Sequence, residues 1–582
     1  MTIRRLRRAR VTLLLAAVLS LMAAAPAADD TAASGGAGGG AAMANRVVEW
    51  SLVSGKDYAD PFNDVQLDVE VTAPDKTIRR IPAFWDGKQV WRVRYSSPQV
   101  GTHSWKSICS DAGNADLNGK EGAISIAPYV GDHPLYQHGF IRVSSDKRHL
   151  TYADGTPFFW LGDTWWMGLC KRLGWPEEFQ QLTADRKQKG FTVIQIVAGL
   201  YPDMHPFDPR GANEAGYPWE TGYARIHPEY WDAVDRRLAY LVDQGMVPCI
   251  VGAWGYFMSW MGVEKMEQHW RYIIARYGAM PVVWCAAGEA NLPWYLAKGF
   301  PYDARAQVTQ WTTVMRYIKA NDPYHRLLTI HPTGIGRLSA RHATDDVDLL
   351  DIDLLQTPHG QREAVAPTVA TMQTSYADHP VMPVINGEAS YEMLGDTLPT
   401  AWTRQMFWLC MTNGAAGHTY GANGIWQLNR RGQPHGPSPH HPPGSNGYGI
   451  IPWDEAMHLP GSSQVGLGKR LFERFDWQSF QPHPEWSAYE ADSAPGAPPR
   501  PTYGPFAIGS DAVRLIYVPE HCRTAVSGLA AHASYRGQIV DPVSGATTEL
   551  GAITPDAAGS WSVPAPDRAD AKDWVLILER QP

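Results

Sequence analysis

Cysteine is scarce: six in 582 residues, with no C-x-x-C pair. That spacing excludes the common zinc and redox motifs, and no other metal-ligand set or cofactor motif stands out. Cys109, Cys170, Cys249, Cys285, Cys410 and Cys522 are scattered, several inside apolar runs, and read as small core residues. Basic charge is also short: the net charge of −8 offers no positive stripe of the kind a nucleic-acid binder carries. After the N-terminus no apolar run reaches the length of a membrane span. No G-x-G-x-x-G follows the first strand of the central region, which counts against a doubly wound open sheet there.

The aromatics are plentiful instead, with 24 Trp and 25 Tyr. Flat rings suit the apolar faces of sugars, although cores also consume them. The first residues combine a basic segment, an apolar run from Val11 to Met22 and small residues at Ala25–Ala28. This is the build of a signal peptide (1–28), so a secreted or periplasmic protein is expected. Residues 29–45 read as an Ala/Gly-rich linker. The His-rich stretch HGPSPHHPPG (435–444) reads as a solvated insertion.

The chain divides into three parts. Residues 46–130 alternate apolar and polar positions between turn residues, the pattern of a β-sandwich. From 138 to 490 the rhythm changes to eight apolar strands, most separated by helical periods such as 176–190, 228–244, 263–277 and 303–320. Eight strand–helix repeats predict a (β/α)8 TIM barrel; a doubly wound open sheet is the alternative. After a Pro-rich link at 494–505, short strands return over 497–582 as a second β-sandwich. Multidomain architecture follows: a barrel flanked by two sandwiches.

In a barrel of this kind chemistry collects at the C-terminal strand ends. The residues expected there are polar and aromatic: Asp163, Thr164, Trp165, Trp254, Glu289, Asn291, His331, Gln356, His359, Glu388, His418, Tyr420, Asn423 and Trp426. Two carry the chemistry. VVWCAAGEAN (282–291) and PVINGEASYE (383–392) each run an apolar strand into a glutamate, Glu289 on the fourth strand and Glu388 on the seventh. Closure of the barrel brings these ends to one rim. Two carboxylates within reach of one glycosidic bond, one protonated and one ionised, make a retaining glycosidase pair. Apolar walls such as Trp254 and Trp284 would help to separate their pKa values. Glu392 is read either as support for Glu388 or as a loop charge. His331 and His359 could bind hydroxyls or be structural. Of the adjacent Trp165 and Trp166, at most one faces the pocket, and Trp165 is taken as the candidate.

HLTYADGTPFFWLGDTWW (149–166), VVWCAAGEAN, VINGEASYE (384–392) and AAGHTYGANGIW (415–426) resemble the barrel motifs of apiosidase-like glycoside hydrolases. Residues 46–130 resemble the sandwich that often precedes such barrels, and the tail resembles a sandwich labelled as collagen-binding. The resemblance implies Glu289 as acid/base, Glu388 as nucleophile, and Asp163 as a holder of substrate hydroxyls. It also implies that His418, Tyr420 and Asn423 line the eighth-strand side of the pocket. Where the family commonly has Gly-Gly-Asp, then one residue and Asn, this chain has Ala287-Gly288-Glu289-Ala290-Asn291. The acid is one methylene longer, which leaves the sugar open. The expected partner is an oligo- or polysaccharide, and the expected reaction is hydrolysis of a plant or microbial polysaccharide. The alternative is a non-catalytic carbohydrate-binding or adhesion protein on a barrel scaffold, and collagen binding through the tail is a third reading.

Overall fold

The structure, a computed structural model, describes residues 42–292, 304–334, 336, 338–436, 448–490, 502–563, 565–566 and 573–582. The expected signal peptide, nearly all of the linker, and most of the His-rich stretch and the Pro-rich link lie outside these residues.

The barrel is built on eight parallel strands: β1 (Trp160–Trp165), β2 (Val193–Val197), β3 (Val247–Val251), β4 (Val283–Cys285), β5 (Leu328–Thr329), β6 (Asp353–Gln356), β7 (Val384–Glu388) and β8 (Gly417–Tyr420). Their hydrogen-bonded order is β5-β4-β3-β2-β1-β8-β7-β6. Strands such as VIQIV in β2 are buried at every position, as expected when side chains and helices cover both faces of a parallel sheet. The seam between β5 and β6 lacks a ladder among the described residues. It is tied by single contacts: Thr329 Oγ1 donates to the Ile352 carbonyl at 2.8 Å, and Ser339 bridges antiparallel to Leu355. Among the described residues no α-helix crosses from β5 to β6; the short 3-10 turns Ala340–His342 and Val347–Leu349 do so. The predicted strand over 346–360 therefore shrinks to the four residues of β6.

Among the described residues seven α-helices of more than ten residues surround the strands: α1 (Glu177–Lys189), α2 (Pro228–Asp243), α3 (Met258–Tyr277), α4 (Ala304–Asn321), α5 (Arg362–Ala377), α6 (Thr400–Thr412) and α7 (Pro460–Phe472). In α2 the aligned Trp231, Val234, Leu238 and Leu241 are all fully buried, and Pro228 opens the helix where a missing N–H costs nothing. Helix α3 starts five residues before its predicted start at 263, across a kink at Gly262.

The N-terminal sandwich packs a five-stranded sheet on a three-stranded one around Trp50, Leu67, Val69, Trp91 and Val93. Arg94 links it to the barrel through Asp235 of α2 at 2.5 Å. The C-terminal sandwich has sheets of six and three strands. Leu515, Tyr517, Val575 and Ile577 of its larger sheet belong to the same core cluster as the barrel. Arg404 of α6 grips Asp573 with two bonds of 2.7 and 3.0 Å. Five of the six cysteines are buried and all six are free thiols. No described helix is long and apolar enough to cross a membrane.

Candidate active site

The rim at the C-terminal ends of β3 to β7 is assembled from backbone outward. After β4 the chain continues through Ala286, Ala287 and Gly288. The Gly288 N–H donates to the Ala253 carbonyl at 2.9 Å, and Gly255 donates to Gly288 at 2.6 Å. Trp254, just past β3, lies against Gly288 so closely that a Cβ there would sit 2.3 Å from its ring. Only glycine permits this approach. Glu289 then adopts φ +43°, a left-handed conformation costing about 1–2 kcal/mol for a non-glycine residue. The Ala290 N–H donates to His331 at 2.9 Å, and Leu292 donates to the Glu289 carbonyl at 2.9 Å. These bonds hold the unfavourable turn and aim the side chain at the rim. Strain held by its surroundings is a common mark of a functional position.

Glu388 is the last residue of β7, and a bulge brings it opposite Gln356. The β6–β7 register passes from Leu355↔Asn386 to Gln356↔Glu388, so Gly387 is the extra residue. Bulges re-aim side chains in this way. Gln356 Nε2 donates to Glu289 Oε1 at 2.9 Å and to Glu388 Oε1 at 3.1 Å. A single nitrogen serving both carboxylates limits those two oxygens to a separation no greater than the sum of the two bonds, about 6 Å. Trp254 Nε1 donates to Glu289 Oε2 at 3.2 Å. Glu388 is flanked by His331 Nε2 at 3.3 Å and His359 Nε2 at 3.1 Å. His331 Nδ1 donates to the Pro332 carbonyl at 2.8 Å.

These surroundings separate the two acids. Burial, reinforced by the neighbouring Glu388 charge, pushes Glu289 up to about 7 against the opposing bonds from Gln356 and Trp254. Burial also acts on Glu388, but there the hydrogen bonds and charges of His331 and His359 outweigh it and hold the group down at about 2. Near neutral pH the pair therefore contains one carboxylate and one carboxyl group that can still hold its proton.

Trp166 and Tyr391 complete the pocket wall. The Trp166 indole stands edge-on to Trp254 at 5.5 Å and to His331 at 5.6 Å, and its N–H donates to the Tyr391 hydroxyl at 3.1 Å. Burial first, then the Glu388 charge, raises the Tyr391 phenol well above the ordinary value, so it stays protonated. A Cβ on Gly421 would lie 2.0 Å from the Tyr391 ring, so the eighth-strand tip needs glycine to admit that ring. Tyr391 was not predicted. The only available signal was its place three residues after Glu388.

The structure gathers Glu289, Glu388, Gln356, His331, His359 and Trp254 and places most of the other candidates elsewhere. Asp163 is fully buried on the helix side of β1, where it accepts from Arg186 Nε at 2.6 Å and Trp165 Nε1 at 2.7 Å. Its other oxygen accepts from the Thr164 N–H at 3.0 Å, so both oxygens are engaged within the fold rather than turned to the acids. Trp165 points the same way, edge-on to Phe179 at 5.6 Å. Trp166 is the ring that faces the pocket. Trp284 is likewise no wall of the acid site: it packs on Trp270 and donates to Asp322 at 2.9 Å. His418 is buried beside Phe407 at 5.7 Å, and burial drives its imidazole down to about 3. The Tyr420 hydroxyl donates to Glu392 at 2.5 Å. Glu392 is thus neither a loop charge nor a partner of Glu388. It is a buried acceptor for Tyr420, Thr400 and the Gly461 N–H.

The remaining candidates brace loops. Asn291 Oδ1 accepts from the Thr333 N–H at 2.9 Å. Asn423 is held between Asp396 at 2.7 Å and Gln427 at 2.6 Å. Trp426 packs edge-on to Tyr448 at 5.0 Å and His435 at 5.6 Å. His435, at the start of the expected solvated insertion, is itself buried.

Comparison with known proteins adds a family to this geometry. Residues 144–479 match the family model described as Apiosidase-like, catalytic domain. Residues 43–110 match a domain of unknown function, DUF5060. No curated protein matches the chain. Among solved structures, one described as a glycoside hydrolase is 22% identical with a TM-score of 0.63, covering 77% of this chain and 98% of its own. A glycoside hydrolase family 5 protein from Bacteroides vulgatus ATCC 8482 gives the same identity and TM-score, covering 77% and 94%. Another protein from that organism, 18% identical with a TM-score of 0.62, covers 93% of this chain and 99% of its own. At these identities the likeness is one of fold, and it spans the barrel and its flanking modules.

Proposed function

The chain belongs to the apiosidase-like family of glycoside hydrolases, and on that premise we propose that it cleaves a plant or microbial polysaccharide with retention of configuration. Glu289 donates its proton to the glycosidic oxygen while ionised Glu388 attacks the anomeric carbon. The bond to the leaving sugar breaks and a glycosyl ester forms on Glu388. Water then attacks that carbon, Glu289 takes its proton, and Glu388 departs as carboxylate.

The observation that carries this reading is Gln356 Nε2, which bonds both carboxylates at 2.9 and 3.1 Å. The resulting limit of about 6 Å suits the separation of roughly 5–5.5 Å used for double displacement better than the 6.5–9.5 Å of inverting pairs. Gln356 spaces the acids, the two histidines beside Glu388 keep it ionised, and Trp254 and Trp166 offer rings for a sugar. We also propose export, from the leader-like first 28 residues. The longer acid at position 289 makes apiose one candidate sugar among several.

Aryl glycosides of pentoses and hexoses test the reading. Release of aglycone from at least one is expected, and digestion of complex polysaccharides then identifies the sugar. Binding that shifts the melting curve with no aglycone released would point to the carbohydrate-binding alternative.

A further inference from the structure

A second cavity, about 270 Å³, opens at the opposite end of the barrel, where the N-terminal sandwich and the connector meet the chain entering β5. Three arginines line it, one from each part: Arg79 on the sandwich strand Ile78–Pro82, Arg142 on the connector strand Arg142–Val143, and Arg326 just before β5. Gln137, Asn45 and Ser96 add polar lining. The Asn45 amide donates to Tyr136 at 2.8 Å, and the Ser96 hydroxyl donates to Ala279 at 2.7 Å.

Asp154 and His138 line it too, and the charges still do not balance: three arginines face one carboxylate. Several other buried arginines meet a carboxylate: Arg94 meets Glu49 at 2.7 Å, Arg186 meets Asp163 at 2.6 Å and Arg404 meets Asp573 at 2.7 Å, whereas Arg172 and Arg514 each stand alone among backbone carbonyls. Arg326, 3% exposed, instead donates Nε and Nη2 to the Gly278 carbonyl at 2.9 and 2.8 Å and lies 3.7 Å from the centre of the Phe140 ring. Arg142 reaches only the His325 carbonyl, at 3.3 Å. Among the described residues none of the three arginines forms a salt bridge. The nearby carboxylates are already engaged. Asp322 accepts from Trp284 and from the N–H groups of Tyr324 and Arg326. Asp351 accepts from Lys319 and Leu328, and Asp154 accepts from His138 and Thr156. Burial first, with the charges of Arg142 and Arg79 and against the pull of Asp322, lowers Arg326 to about 9. Buried charge without a counter-ion is costly, and an anion would relieve it.

We propose that this cavity binds a free tetrahedral oxyanion, phosphate or sulfate, held between Arg79, Arg142 and Arg326. Guanidinium forks match the paired oxygens of such ions, and a dianion offsets the excess positive charge better than a monovalent ion does. The site lies at the end of the strands away from Glu289 and Glu388, so a polysaccharide held by the acids does not reach it. An ion bridging three parts of the chain would fasten the sandwich to the barrel, and stability is the role this face usually serves.

The test uses the full mature chain and inorganic phosphate. Titration calorimetry and thermal melts compare sodium phosphate with sodium chloride at equal ionic strength. Phosphate is expected to give a saturable heat and to raise the melting temperature above the chloride value. Arg79→Gln and Arg142→Gln should each weaken phosphate binding about tenfold, the equivalent of one lost charge-assisted bond, while aryl-glycoside turnover stays unchanged. Arg79 is half-buried and unpaired, so its variant is expected to fold. Sulfate in place of phosphate should behave alike. Equal melts in phosphate and chloride, or full binding by both variants, would overturn the proposal.

Discussion

Glu289 and Glu388 approach each other closely enough for one amide nitrogen of Gln356 to bond both. Removing either charge should therefore separate their roles. Glu388→Gln should lower kcat more than about a thousandfold, because no nucleophile remains. Glu289→Gln should lose roughly 10²–10⁴-fold on substrates with poor leaving groups and much less on activated aryl glycosides, which need little proton donation. Circular dichroism and melting should show both variants folded.

The pH dependence follows from the same asymmetry. Productive free enzyme has Glu289 protonated and Glu388 ionised. With Glu289 held near 7 and Glu388 near 2, kcat/KM should be flat through mild acid and fall about tenfold per pH unit above neutrality. The stability linkage has the matching sign. Glu289 is raised by folding, so its contribution is complete below its unfolded value of 4.5 and disappears as pH rises through about 7. Melting curves should show Glu289→Gln gaining on the wild-type protein from about pH 4.5 to 7 and no further above that. For Glu388, lowered by folding, the contribution is present above 4.5 and disappears as pH falls towards about 2.

Gly288→Ala tests how the acid is aimed. The new methyl group would sit 2.3 Å from the Trp254 ring, so the indole must move and take its bond to Glu289 with it. A displacement near 1 Å costs on the order of 10²-fold in rate. The expected outcome is a loss of that size in kcat/KM, with an alkaline limb moved upward because Glu289 no longer accepts from the indole.

The barrel was legible because strand and helix periods alternate across 138–490, and the two glutamates because each ends an apolar strand. What could not be read was the face each tip residue occupies. A strand's period of two puts Asp163 and Trp165 on one side and Trp166 on the other, yet it does not say which side is the pocket. The buried Arg186 decides this by drawing Asp163 towards α1, and Tyr420 is turned outward by Glu392. The bulge at Gly387, which sets Glu388 beside Gln356, leaves no mark in the apolar pattern of β7. The β5–β6 crossover was misread as strand because DVDLLDIDLLQ alternates like one, although it makes a 3-10 turn before β6 begins.

Asp163→Asn distinguishes structural from substrate contact at the first strand. It leaves the buried Arg186 with Asp185 as its remaining carboxylate and breaks the fully buried pair, a loss of about 3 kcal/mol. Thermal melts should fall by several degrees while KM for an aryl glycoside stays at the wild-type value. A raised KM with unchanged melting would return Asp163 to the substrate pocket.

Proton NMR of the anomeric signal during the first minutes of hydrolysis reads the outcome of the Glu289–Glu388 pair directly. Two carboxylates spanned by one amide nitrogen predict a first-formed sugar with the configuration of its parent glycoside, before mutarotation blurs it. A first-formed sugar of opposite configuration would mean that water, and not Glu388, attacks the anomeric carbon.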